Sequence, residues 1–139
     1  MTIVSGARRF AAPPERVFEL LTDPGVIASA IPAVLGHRVL DRDHWEAKVK
    51  PPLRFAPSVT IHFEVLERRP TEHAALHAHG GGADVTSRFD LLEQDGGTLM
   101  RWEAQFGIGG FLGHFVGHGF EPLAHRQASR TLDAVERSL

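Results

Sequence analysis

The sequence predicts an α+β protein. An antiparallel sheet of about six or seven strands carries two short helices after its first strand and a long, kinked helix at its C-terminal end. Three observations support this. Prolines bracket two short apolar stripes in AAPPERVFELLTDPGVIASAIP, residues 11–32. Apolar and polar side chains alternate with a period of two over residues 36–108. From Gly107 the apolar spacing turns helical and stays so to Leu139.

Ile3 to Phe10 reads as the first strand. Pro13 and Pro14 open a helix, where a missing N–H leaves no bond unmade. Pro14, Val17, Phe18 and Leu21 fall at i, i+3, i+4, i+7 and form its apolar stripe. The TDPG step ends that helix and starts another, with Asp23 placed to cap it and Pro24 at its first position. Val26, Ile27, Ala30 and Ile31 supply the second stripe, and Pro32 stops it. Each helix is about two turns long, too short to persist alone in water, so both stripes must pack on something larger.

That larger surface is the sheet. Trp45, Ala47 and Val49 alternate with charged neighbours, as do Val59, Ile61, Phe63 and Val65 with polar ones. Val85, Ser87, Phe89 and Leu91 repeat the pattern, and so do Met100, Trp102, Ala104 and Phe106. Such alternation gives one dry face and one wet face. EQDGGT marks a hairpin between the last two strands. Setting Leu91 opposite Met100 pairs Phe89 with Trp102 and Val85 with Phe106 on the dry side. On the wet side it pairs Arg88 with Glu103 and Asp90 with Arg101. A slip of one residue would destroy both sets. A second hairpin at RRPTEH, with Val65 opposite Leu76, sets His62 against His79 and Glu64 against His77 on the wet face. HGGGAD, residues 79–84, reads as a turn or bulge. In KVKPPLRF, Pro51 and Pro52 are expected to bend or end an edge strand, its charges solvated.

In the last segment Phe111, Leu112, Phe115, Val116 and Leu123 project to one side of a helix. Ala124, Ala128, Leu132, Val135 and Leu139 project to nearly the opposite side. One straight helix cannot bury both arcs on one surface. Gly117, Gly119 and Pro122 lie where the arc changes, so a break is expected between residues 117 and 122.

The 139 residues suit a single domain over 1–139, with 42% apolar and 23% charged residues. A net charge of -2 makes no electrostatic case for nucleic acid or anionic membrane. The absence of cysteine excludes disulfides, thiol catalysis and thiolate metal sites. MTIVSGARRF has no apolar core and no apolar run is long enough to span a bilayer, so a cytoplasmic location is expected.

The order of elements resembles the START-like, or SRPBCC, superfamily and its helix-grip fold. In that fold a curved antiparallel sheet wraps a long C-terminal helix while two short helices close one end. Within it, the segment from Phe10 through AAPPERVFELLTDPGVIASAIPAV resembles the start of the family typified by the G subunit of carbon monoxide dehydrogenase. GIGGFLGHFVGHGF resembles that family's glycine-bearing entry to the last helix. Many of its members carry a longer tail that can reach a membrane; this sequence stops at Leu139, and at most peripheral membrane contact is expected. The resemblance implies a cavity between sheet and helix holding an apolar small molecule, such as a lipid, quinone, isoprenoid or aromatic compound. It also implies service to a molybdenum hydroxylase complex as a carrier or recruitment factor.

On that reading the dry-face residues Trp45, Ile61, Phe63, Phe89, Met100, Trp102 and Phe106 line the cavity, joined by Phe111 and Phe115 of the last segment. For any one of them, a packed core is the competing reading. No pair of carboxylates, activated nucleophile or phosphate-binding loop has suitable spacing, and no cofactor is expected. Ser87 is the one hydroxyl on the dry face of the last hairpin and has no base beside it. His114, His118, Glu121 and His125 fall at i, i+4, i+7, i+11, a spacing fit for a divalent metal on an unbroken helix. The expected break separates His125 from the first pair, so a solvated stripe and no metal site is the reading taken. Two rivals to a non-catalytic carrier stand. One is a cyclase-, aromatase- or hydrolase-like enzyme of the same superfamily, needing polar groups that converge inside the cavity. The other is a ligand-free protein-binding accessory with a filled core.

Overall fold

The first strand, β1 (Thr2–Phe10), ends at the proline pair that starts α1 (Pro14–Leu21), and Asp23 then caps α2 (Pro24–Ser29). Six strands follow: β2 (Val34–Asp41), β3 (His44–Val49), β4 (Val59–Arg69), β5 (His73–Gly80), β6 (Ala83–Gln94) and β7 (Gly97–Ile108). The last described element is α3 (Phe120–Arg137). This computed structural model describes residues 2–51, 55–108 and 120–139. The seven strands form one curved antiparallel sheet in the order β1-β7-β6-β5-β4-β3-β2.

Both predicted hairpin registers are present. Leu91 faces Met100, Phe89 faces Trp102, Val85 faces Phe106, and Arg88 faces Glu103. Asp95 and Gly96 turn that hairpin with φ of 52° and 80°. Asp-Gly tolerates this left-handed geometry, which matches the twist of the flanking strands. Val65 faces Leu76, and a bulge beyond Val65 leaves Leu66 as an extra residue. The glycine run after His79 is a turn: Gly81 and Gly82 carry φ of 59° and 87° between β5 and β6.

One expectation is overturned, and another falls mostly outside the described residues. β3 is not an edge strand, because β2 pairs along it; Pro51 therefore lies beyond its last ladder residue, Val49, and interrupts nothing. Pro52 and Arg54 lie outside the described residues. The break expected between residues 117 and 122 falls mostly outside them too. Pro122 sits in the first turn of the described span of α3, where proline is tolerated.

The helices have to lie on the concave face. β1 and β2 are consecutive in sequence yet occupy opposite edges, so the segment carrying α1 and α2 crosses the whole sheet. Val17, Phe18, Leu20 and Leu21 of α1 are buried, with α1 packed on β5, β6, β7 and α3. α2 packs on β2 and α3, and α3 packs along β1. Arg8 of β1 reaches α3, with Nη1 donating to Asp133 Oδ1 at 2.8 Å.

These contacts fall into three separate apolar clusters. The largest joins α1, Phe10, Leu76, Phe89, Met100 and the far half of α3. A second gathers Ile27 and Ala28 of α2 on Trp45, Ala47 and Phe63. The third holds Val4, Ala104, Phe106 and Ala124. Seven strands about 4.8 Å apart span roughly 29 Å, whereas one helix covers about 10 Å. Among the described residues the three clusters stay separate, and a hollow remains where they meet.

α2 depends on its cap: Asp23 Oδ1 accepts from the Gly25 N–H at 2.8 Å and the Val26 N–H at 3.2 Å. Asp23→Ala is expected to lower unfolding free energy by about 1 kcal/mol, read as an earlier midpoint in urea with an unchanged slope.

Candidate functional site

The hollow is a partly open cavity of about 270 Å³ between the sheet and α3. Sites for small molecules commonly run from roughly 300 to 1,000 Å³, so this one suits a compact ligand rather than a two-chain lipid. Its wall draws on all three clusters: Phe63 and Ile27 from the second, Leu76, Phe89 and Leu132 from the first, Phe106 from the third.

Of the sequence-predicted lining residues, Ile61, Phe63, Phe89, Trp102 and Phe106 border the cavity. Trp45 and Met100 share the dry face but do not border it. Trp45 is covered by Phe63, stacked on it at 3.8 Å between ring centroids with a 4° tilt, and by the edge of His37. Met100 is wholly enclosed in the cluster beneath α1. Phe111 and Phe115 lie outside the described residues. The sequence reading assigned the helical wall to Phe111 and Phe115. Among the described residues that wall comes from Gln127, Ala128, Thr131 and Leu132 of α3 and from Ile27 and Ile31 in and just after α2. The Ala128–Leu132 arc and the Ile27/Ile31 spacing were visible signals for both. Trp102 owes its position to β1: Gly6 stands opposite it, and a methyl group there would sit 3.0 Å from the indole.

Polar groups on the wall are few and mostly committed. Thr131 Oγ1 donates to the Gln127 carbonyl at 3.1 Å, and Gln127 Nε2 donates to the Ala30 carbonyl at 3.2 Å. Ser87 lies between Leu76 and Ala104 on the neighbouring strands, so no base flanks it. His79 and Glu103 border the cavity, but strand alternation assigns their side chains to the outer face.

The sequence profile described as polyketide cyclase / dehydrase and lipid transport matches residues 1–139. The chain belongs to the polyketide cyclase/dehydrase and lipid transport family. Its fold recurs in a conserved protein from Geobacillus kaustophilus (16% identity, TM-score 0.82, 99% of this chain and 94% of that one). It recurs in a START superfamily protein from Mycobacterium smegmatis (16% identity, TM-score 0.75, 98% and 95%). A Thermus thermophilus protein shares it at 17% identity, with TM-score 0.75 and coverage of 98% and 95%. At such identities the likeness is one of fold. No curated protein matches by sequence. The START-like reading of the fold therefore stands.

In this member of the polyketide cyclase/dehydrase and lipid transport family the outer sheet face is a lattice of ion pairs. Glu46, His62, His79 and Asp84 form one row across four strands. The His79 ring stacks 5.3 Å from His62 and 5.2 Å from His77. Arg38 meets Glu46 at 3.0 Å, Arg88 meets Glu67 at 2.9 Å, and His77 meets Asp84 at 3.1 Å. His73 is the buried exception. Its Nδ1 lies 2.8 Å from Asp90 Oδ1, while its Nε2 lies 2.9 Å from Glu67 Oε2 outside hydrogen-bond alignment. No group of three or more His, Asp or Glu side chains among the described residues is placed to hold a metal. His114 and His118 lie outside those residues; His125 is exposed on α3. No described helix is long and apolar enough to cross a membrane.

At the β2–β3 turn His44 Nδ1 lies 2.9 Å from Asp41 Oδ1. The hydrogen bond to Asp41 raises the His44 pKa, and the same bond lowers that of Asp41. The histidine's contribution is complete below its unfolded pKa and vanishes as pH rises through the folded value. The carboxylate's is lost as pH falls through its own depressed value. His44→Gln should therefore lower the urea midpoint at about pH 5.5 and leave it nearly unchanged at about pH 8.5.

Proposed function

We propose that the protein is a non-catalytic binding or carrier protein that holds an apolar small molecule in the cavity between its sheet and α3. The whole chain acts as one START-like domain. One observation supports this most: aromatic and aliphatic side chains from both layers wall the hollow, and its α3 polar groups already bond to the backbone. That arrangement favours shape-based retention of a lipid-like, isoprenoid, quinone or aromatic compound. It disfavours the catalytic alternative, since Ser87 has no flanking base on its neighbouring strands. A filled-core accessory is disfavoured by the hollow itself. The resemblance of residues 10–34 to the carbon monoxide dehydrogenase family described above extends the proposal to a partner, a molybdenum hydroxylase complex met in the cytoplasm.

Native mass spectrometry of freshly purified protein, followed by denaturing extraction, is expected to release an apolar compound of defined mass. Ala128→Trp adds an indole to the α3 wall and should abolish uptake of the neutral dye N-phenyl-1-naphthylamine while the circular dichroism spectrum is retained. A folded wild-type protein that neither carries a compound nor takes up the dye would end the proposal.

A further inference from the structure

A second cleft, of about 340 Å³, opens directly beside the cavity. The two share Ala83, Val85, Phe106 and Gln127, so an occupant can extend from one into the other. One face of α3 walls the cleft: Leu123, Arg126, Gln127 and Arg130 recur at i, i+3, i+4, i+7. The opposite side is apolar, with Pro32, Val85 and Phe106.

Among the described residues, no carboxylate pairs with either arginine. Arg8, Arg16, Arg38, Arg42, Arg68 and Arg88 all meet carboxylates within ion-pair distance. Arg126 and Arg130 are exposed, border the cleft and have no ion-pair partner among the described residues. Residues four apart on a helix stand as neighbours on one face, roughly 5–6 Å between Cβ atoms. Two guanidinium groups so placed offer paired donors to a planar oxyanion, which carboxylate geometry fits. Behind them lies apolar surface that a small hydrophilic anion would not need.

We infer that the cleft receives the carboxylate of an amphipathic acid whose apolar body fills the cavity, with Arg126 and Arg130 holding the head group. This deepens the proposed function and rests on it. The ligand class narrows from apolar molecules in general to single-chain or aromatic carboxylic acids. Gln127 marks the boundary between head and body, held there by its bond to the Ala30 carbonyl.

The test uses N-phenyl-1-naphthylamine fluorescence in the full chain, with dodecanoic acid and dodecan-1-ol as competitors of matched chain length. In the wild type the acid should displace the dye at about one tenth the concentration the alcohol needs, one charge-assisted contact's worth of preference. In the Arg126→Gln/Arg130→Gln variant that preference should fall to about one, with dye and alcohol affinities unchanged. Equal competition by acid and alcohol in the wild type, or a preference that survives the double substitution, overturns the head-group assignment while dye binding upholds the cavity. Failure of a folded wild-type protein to bind the dye overturns both. Sedimentation with phosphatidylglycerol vesicles that the double substitution abolishes, without any preference for the acid, assigns the arginines to a lipid surface and also overturns the inference.

Discussion

A curled sheet of seven strands has more inner surface than one helix can cover, and the remaining features follow from that mismatch. β1 and β2 sit at opposite edges, so the intervening chain must cross the concave face, and it crosses as two short helices anchored by proline and aspartate. α3 then lies along the β1 side, tied by Arg8 to Asp133. α1 and the far half of α3 share one apolar cluster, α2 gathers a second, and Ala124 of α3 joins a third. The space left between these clusters is the cavity, walled by the dry sheet face on one side and by α2 and α3 on the other.

Much of the fold was legible because its periods were unambiguous. In β6 and β7 apolar pairs and opposite charges both demanded one register, and that register is present. β2 was the hardest strand to read. Leu35, Val39 and Leu40 are more than half exposed there, so no clean alternation marks the strand even though α2 packs on it. Pro51 and Pro52, just after β3, made that strand look like the edge.

The site was legible only in part, for a physical reason. Alternation tells which face a side chain takes, but not how deeply helices cover that face. Trp45 and Phe63 obey one rule and face each other across two strands, yet Phe63 borders the hollow while Trp45 is sealed beneath its stacked ring. Met100 and Trp102 differ likewise: the first is wholly enclosed in the cluster beneath α1, while the second packs at the edge of that cluster and borders the hollow. Such distinctions depend on where helices land, which no local spacing encodes. Polar members of α3 were missed for a related reason: Gln127 and Thr131 look like surface residues until the helix is set against a void.

The close fit of Trp102 over Gly6 has an evolutionary reading. The largest ring on the cavity wall rests against a backbone position on an edge strand, outside the cavity itself. A single methyl group gained at that position would crowd the indole and force it to shift. Selection could therefore resize the chamber through a neighbour that never meets the cargo, retuning which molecules fit while every residue in contact with them stays the same.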